Sequence, residues 1–142
     1  MRILSVDFGE KRIGLAVSDE RGEIVVPVGV VFRKSDAQAA SEVTAAARER
    51  EVGLLVVGLP VRPDDGTDSP FAARVRNFAR RLAEASGLPV ELHGEALTSS
   101  SAEGELRDAG YSHARLRAAL DAEAAASILR DFLSSRPGGS PE

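Results

Sequence analysis

The sequence predicts an α/β domain on a five-stranded mixed sheet, three antiparallel strands and then two parallel ones, with helices on both faces. Three observations lead there. Two apolar segments, Arg2 to Asp7 and Ile13 to Ser18, flank a short turn with Gly9, as in an antiparallel hairpin. A continuous apolar run, Gly53 to Gly58, is too short for a helix and lacks alternation, as expected of an interior parallel strand buried on both sides. The element order then reads βββαβαβαα.

Each element has its local reason. After the turn at Glu20 to Glu23, Ile24 to Phe32 is apolar and β-branched, but Pro27 removes a ladder donor and assigns this third strand to an edge. Ser35 and Gln38 have capping-box spacing and open a helix from Asp36 to Glu51, with Ala40, Val43 and Ala47 on one face. Leu59 to Ser69 is a loop rich in Pro, Asp and Gly, long enough to be functional. Ser69 and Pro70 then supply an N-cap and a first-turn proline, and Phe71, Val75, Phe78 and Leu82 recur at helical spacing up to Gly87. Val90 to His93 is a short strand, and Ser100 with Glu103 caps a third helix ending by Gly110. Tyr111 to Arg117 reads as irregular and basic, and a last helix follows with Leu120, Ala124, Ile128 and Phe132 toward the core. Residues 1–134 therefore form one domain, and 135–142 have the composition of a disordered tail.

Composition narrows the function classes. A chain of 142 residues can bury a core without staples, and the lack of cysteine excludes disulfides, thiolate metal sites and thiol nucleophiles. No apolar run approaches the ~20 residues of a membrane helix, and Met1-Arg2 leads straight into a strand, so the expected location is the cytoplasm. The net charge of -4 argues against gripping nucleic acid through a bulk basic surplus, so any such contact is local. Of 18 basic residues only Lys11 and Lys34 are lysine, which genome composition explains.

The acids carry the chemistry. In sheets of this kind ligands gather at the carboxyl ends of the parallel strands, where Asp7 ends the first strand and Glu95 follows the fifth; Asp121 lies near the buried face of the last helix. Each alone has an ordinary reading: a turn acid for Asp7, an exposed loop acid for Glu95, a partner of the helix N-terminus for Asp121. Together, three converging carboxylates repel one another and become stable when a divalent cation enters. Oxygen ligands without cysteine or a histidine pair suit Mg²⁺ or Mn²⁺. Two such ions about 3.5–4 Å apart hydrolyse a phosphodiester in line. Lys11 and Arg12 suit a phosphate beside Asp7, or solvated turn positions. The row containing Arg74 reads as a solvated helix face that can also carry backbone contacts, and His113 as a surface histidine.

The segment Asp7-Phe8-Gly9-Glu10-Lys11-Arg12-Ile13-Gly14, then Val57-Gly58-Leu59-Pro60, Asp65-Gly66-Thr67 with Pro70, Arg74 to Ala79, Glu95 with Leu97-Thr98, and Leu120-Asp121 with its alanine run resemble, in order, the motifs of the YqgF family of bacterial RNase H-like nucleases. The resemblance runs to about Leu133. It implies an RNase H-like fold and a metal-dependent endonuclease, either a Holliday junction resolvase or a nuclease maturing the 5′ end of pre-16S rRNA. Asp7, Glu95 and Asp121 match the family's catalytic and metal-binding acids, and Thr67, Arg74, Arg115 and Arg117 fall among the matching substrate-side segments with Lys11 and Arg12. The partner implied is branched DNA or pre-rRNA, and cutting two strands of a junction calls for a homodimer. Two departures stand out: Gly94 and Ala96 flank Glu95 where the family has an acid and an arginine, and the basic segment before Asp121 is thin. The same opening Asp-x-Gly also resembles the actin and sugar-kinase hairpin, which would make the protein an ATP-binding phosphotransferase; the third reading is a catalytically silent nucleic-acid-binding module.

Overall fold

The computed structural model describes residues 1–61, 69–96 and 113–135, without the side chains of residues 61, 95, 96, 113 and 114. The helix expected at 100–110, the loop residues 62–68 and the tail from Arg136 lie outside the described residues. Five strands form one sheet in the order β3-β2-β1-β4-β5: β1 (Arg2–Asp7), β2 (Arg12–Ser18), β3 (Val25–Phe32), β4 (Val52–Val61) and β5 (Val90–Ala96). The first three pair antiparallel, while β4 pairs parallel with β1 and with β5. β1 is therefore the central strand. β3 is an edge strand, with Pro27 opposite Ala16 where the register shifts.

Side chains alternate across a strand, and the alternation divides the core. Leu4 and Val6 of β1 and Phe8 just after it, with Leu55, Val57 and Leu59 of β4, pack beneath α1 (Asp36–Glu49) and α2 (Pro70–Ser86). Ile3, Leu54 and Val56 point the other way, onto Ile128, Leu129 and Phe132 of α3 (His113–Ser135). β4 is thus buried on both faces, as its unbroken apolar run requires.

The caps behave as their residues dictate. Ser35 and Gln38 close the capping box of α1, and Ser69 caps α2 with Pro70 in the first turn. Gly87 ends α2 in the left-handed conformation that an L side chain resists. α1 stops at Glu49, two residues before the expected end, because Glu51 takes a left-handed turn (φ 56°) into β4.

The last helix departs from expectation twice. Residues 113–117 are helical rather than irregular; Ala114, Arg115, Leu116 and Arg117 are all good helix formers. Its buried stripe includes Ala122, Ala125, Ala126, Ile128, Leu129 and Phe132, whereas Leu120 and Ala124 are half-buried. A row spaced by four drifts about 40° per step around a 3.6-residue helix, so 120, 124, 128 and 132 cannot all face one sheet.

Candidate functional site

Asp7 shares its side of β1 with Ile3 and Ser5, the side covered by α3. Ser5 is fully buried, and its Oγ donates to the Ala125 carbonyl at 2.6 Å, which fixes the helix against the strand. Two residues on, Asp7 is half-buried and stands opposite Gly14 of β2 in the antiparallel ladder. A Cβ on Gly14 would lie 1.9 Å from the Asp121 carbonyl oxygen, inside any allowed contact. The missing side chain is what lets the backbone of α3 lie on the sheet there. Asp121 is thereby brought beside the carboxyl end of β1, where Asp7 sits.

Helix and strand dimensions agree with this alignment. From Asp121 to Leu129 a helix advances about 12 Å, and from Asp7 back to Ile3 a strand covers about 13 Å; the two elements run antiparallel over that span. Residues 113–120 therefore extend past the end of β1. Asp121 lies eight residues after the first residue of α3, which removes the reading of it as a partner of the helix N-terminus.

Arg12 alternates with Gly14 and Ala16 on the same face of β2, and its Nε donates to Asp121 Oδ2 at 2.6 Å. Both side chains keep access to solvent, 30% for Arg12 and 26% for Asp121. Arg117 is exposed one helical turn before Asp121, and Arg115 is exposed further toward the helix start. Lys11 is exposed in the turn itself.

Arg74 sits elsewhere. It belongs to α2 on the opposite face, where its Nη1 donates to Glu10 Oε2 at 2.8 Å and its guanidinium lies 5.7 Å from the centre of the Phe8 ring. Arg33, which no sequence pattern singled out, mirrors it: 5.7 Å from the same ring, Nη1 donating to the Glu10 carbonyl at 3.0 Å, and Nε to Asp36 at 2.7 Å. Phe8 is buried against Phe71 and Phe78. Two guanidinium groups on one buried ring clamp the turn that carries Lys11 and leads into Arg12. The only sequence signal for Arg33 is its place between the third strand and the capping box.

Thr67 lies outside the described residues. Glu95 is described by its backbone: position 95 pairs with Pro60 and shares the pleat parity of His93, two residues earlier. Both β4 and β5 continue three residues past their expected ends, so Gly94 and Glu95 are in the strand and not after it. Among the described residues no cluster of three metal-ligating side chains occurs; Asp7 and Asp121 are the two acids brought together. His93 is held apart by Asp131, at 2.6 Å. Half-buried carboxylates, in a chain without cysteine and with no imidazole beside them among the described side chains, suit Mg²⁺ or Mn²⁺ in donor type.

Residues 1–135 match the family model described as RuvX, Holliday junction resolvase. A relative from Anaeromyxobacter sp. (strain K), named "Putative pre-16S rRNA nuclease", is 47% identical over 136 residues, covering 96% of this chain and 98% of its own. The fowlpox virus Holliday junction resolvase superposes with a TM-score of 0.57 at 15% identity, over 95% of this chain and 99% of its own. Thermus thermophilus RuvC in complex with Holliday junction substrate gives 0.52 at 15% identity, over 99% and 98%. At those identities the likeness establishes the fold, an RNase H-like one.

Proposed function

The chain belongs to the RuvX family of Holliday junction resolvases, and from that premise we propose that it is a divalent-metal-dependent endonuclease acting on structured nucleic acid, with Asp7, Glu95 and Asp121 as its catalytic acids. The observation that carries the reading is the approach of Asp121 to the carboxyl end of β1 across the bare Gly14. Two acids on elements more than a hundred residues apart in sequence are not brought to one end of the sheet by local turn chemistry.

Asp7 and Asp121 would hold Mg²⁺ or Mn²⁺, with Glu95 at the end of β5 as the third ligand. When bound, the cation supplies Lewis-acid stabilisation of the phosphate and a water acidic enough to attack at neutral pH. The chain's own residues do the rest. Phe8, Arg33 and Arg74 stiffen the turn, so that Lys11 and Arg12 keep fixed positions beside the scissile phosphate. Arg115 and Arg117, exposed before Asp121, contact the backbone of the bound strand. Local cations of this kind fit a chain whose net charge is -4. Thr67 is assigned to the same substrate side on the family resemblance.

Both candidate substrates come from relatives: a Holliday junction in the Thermus thermophilus RuvC complex and pre-16S rRNA in the name of the Anaeromyxobacter relative. A junction demands two active sites related by a two-fold axis, hence a homodimer, whereas a single RNA end does not. Among the described residues no helix is long and apolar enough to cross a membrane; the location proposed for this activity is the cytoplasm.

The test is cleavage of a four-way DNA junction and of a pre-16S rRNA fragment in Mg²⁺ and in Mn²⁺, with Asp7→Asn alongside. The variant should lose activity by at least about 100-fold, the scale of removing a group that stabilises transition-state charge. Equal cutting by parent and variant would show that Asp7 is no catalytic acid. ATP binding without cleavage would favour the phosphotransferase reading, and nucleic acid binding without cleavage the silent one.

A further inference from the structure

We propose that Arg12 is the counter-ion of Asp121 when no cation is bound, and that it exchanges Asp121 for a substrate phosphate when the cation enters. The inference rests on the metal-dependent reading above and adds a coupling between cation and substrate. Its basis is the pair itself: Nε to Oδ2 at 2.6 Å, charge-assisted, between side chains that both remain about a quarter to a third exposed. The Asp121 oxygen engaged by Arg12 belongs to a carboxylate that the metal-dependent reading needs as a ligand. One oxygen cannot serve a guanidinium and a divalent cation equally, since both draw on the same negative charge.

The geometry supports an exchange over a permanent brace. Arg12 meets Asp121 through Nε, and among the described residues its Nη nitrogens make no hydrogen bond, so no described group competes with a phosphate for that edge of the guanidinium. Its backbone is anchored independently of Asp121: residue 12 is paired in the β2–β3 ladder with Phe32, and the turn before it is clamped by Arg33 and Arg74. Releasing Asp121 therefore costs the side chain its partner without loosening the strand. Asp121 in turn is held by its own helix, whose backbone rests on Gly14. The carboxylate stays in place whichever cation it faces.

Because the same guanidinium opposes cation binding and then favours phosphate binding, each ligand should strengthen the other. The test is calorimetric titration of the purified chain with Mn²⁺ alone, for the parent, Arg12→Gln, Arg12→Met, Arg12→Lys and Asp7→Asn. Loss of the competing charge should tighten Mn²⁺ binding by about two- to fivefold in Arg12→Gln, the fold-change of a partly exposed ion pair. Arg12→Met should do the same if the Gln variant does not fold, and Arg12→Lys should stay within about twofold of the parent because it keeps the charge. A second readout is binding of a four-way DNA junction in Ca²⁺ and in EDTA: the gain in affinity on adding Ca²⁺ should shrink when the charge at position 12 is removed.

A merely structural ion pair makes the opposite forecast, since an unbraced Asp121 would bind Mn²⁺ no better or worse. Unchanged or weaker Mn²⁺ binding in the neutral variants overturns the exchange, as does an undiminished Ca²⁺ gain. If Asp7→Asn weakens Mn²⁺ binding while the Arg12 variants do not tighten it, only the exchange falls. If the parent binds no Mn²⁺, or Asp7→Asn binds it equally well, the metal reading falls and takes the exchange with it.

Discussion

The two faces of the sheet are built from different materials. Beneath α1 and α2 the filling is large: Phe8, Phe71, Phe78, Leu82 and Val43 interlock, and the aromatic rings of Phe8 and Phe78 lie 4.8 Å apart. Beneath α3 the filling is graded. At the end near Ile3, Leu54 and Phe132 it is apolar and bulky, and toward Asp7 it thins to Ser5, Gly14 and Ala16 against Ala125 and Ala126. Bulk sets the distance between a helix and a sheet, so α3 is anchored at one end and brought close at the other. One face holds the chain folded; the thin end of the other brings two acids together.

If that division is right, damage to the first face should cost stability and leave chemistry, and damage to the second should do the reverse. Leu82→Ala removes a fully buried side chain of α2 outside the Phe8 clamp and should lower the unfolding free energy by about 2–5 kcal/mol in urea titration. Under conditions where the variant stays folded, its cleavage rate per molecule should match the parent. A rate loss in proportion to the stability loss would break the comparison.

Gly14→Ala forces a methyl group against the Asp121 carbonyl, and should cost about 1–3 kcal/mol as the helix lifts. Its effect on cleavage should be larger than that figure suggests, about 100-fold, because roughly 1 Å of misplacement is enough to spoil a reacting geometry. Intact cleavage in this variant would mean that the close approach is packing alone.

Ser5→Ala sharpens the same point more gently. It deletes the buried bond from Oγ to Ala125 and should cost about 0.5–1.5 kcal/mol, with a smaller loss of cleavage than Gly14→Ala because nothing pushes the helix away.

The smallest effect is expected away from both faces, in the surface turn between β2 and β3. There Asp19 Oδ1 accepts from the Ile24 and Glu23 backbone N–H groups at 3.1 and 2.8 Å, and those bonds, Ile24 first, hold its carboxyl below the ordinary value of 3.8. A depressed folded-state value stabilises the protein above the unfolded-state value and loses that contribution as the pH falls through the folded one. Asp19→Ala should therefore lower the melting temperature slightly at pH 7, and the gap to the parent should close as the pH drops below about 4. Cleavage should not change.

Much of this architecture is written in short stretches. A capping box, a proline at the start of a helix, a proline in an edge strand and an apolar run without alternation each act through neighbours a few residues away. The strands, α1, α2 and the edge position of β3 were legible for that reason. Asp7, Glu95 and Asp121 were legible as acids at element ends or near a buried helix face, and the family resemblance matched the same three. The rotation of α3 was not legible, because alanine is compatible with either side of a helix and the choice fell to Gly14 and Ala16 on a strand far away in sequence. Nor was the pairing of Arg12 with Asp121, 109 residues apart, or the clamp of Arg33 and Arg74 on Phe8. Propensity and periodicity are local quantities, and the sequence by itself determined what they govern: the elements, their caps and which residues were worth suspecting. Which suspects meet depends on strand register and on how closely a helix can approach a sheet, and only the folded chain decides that.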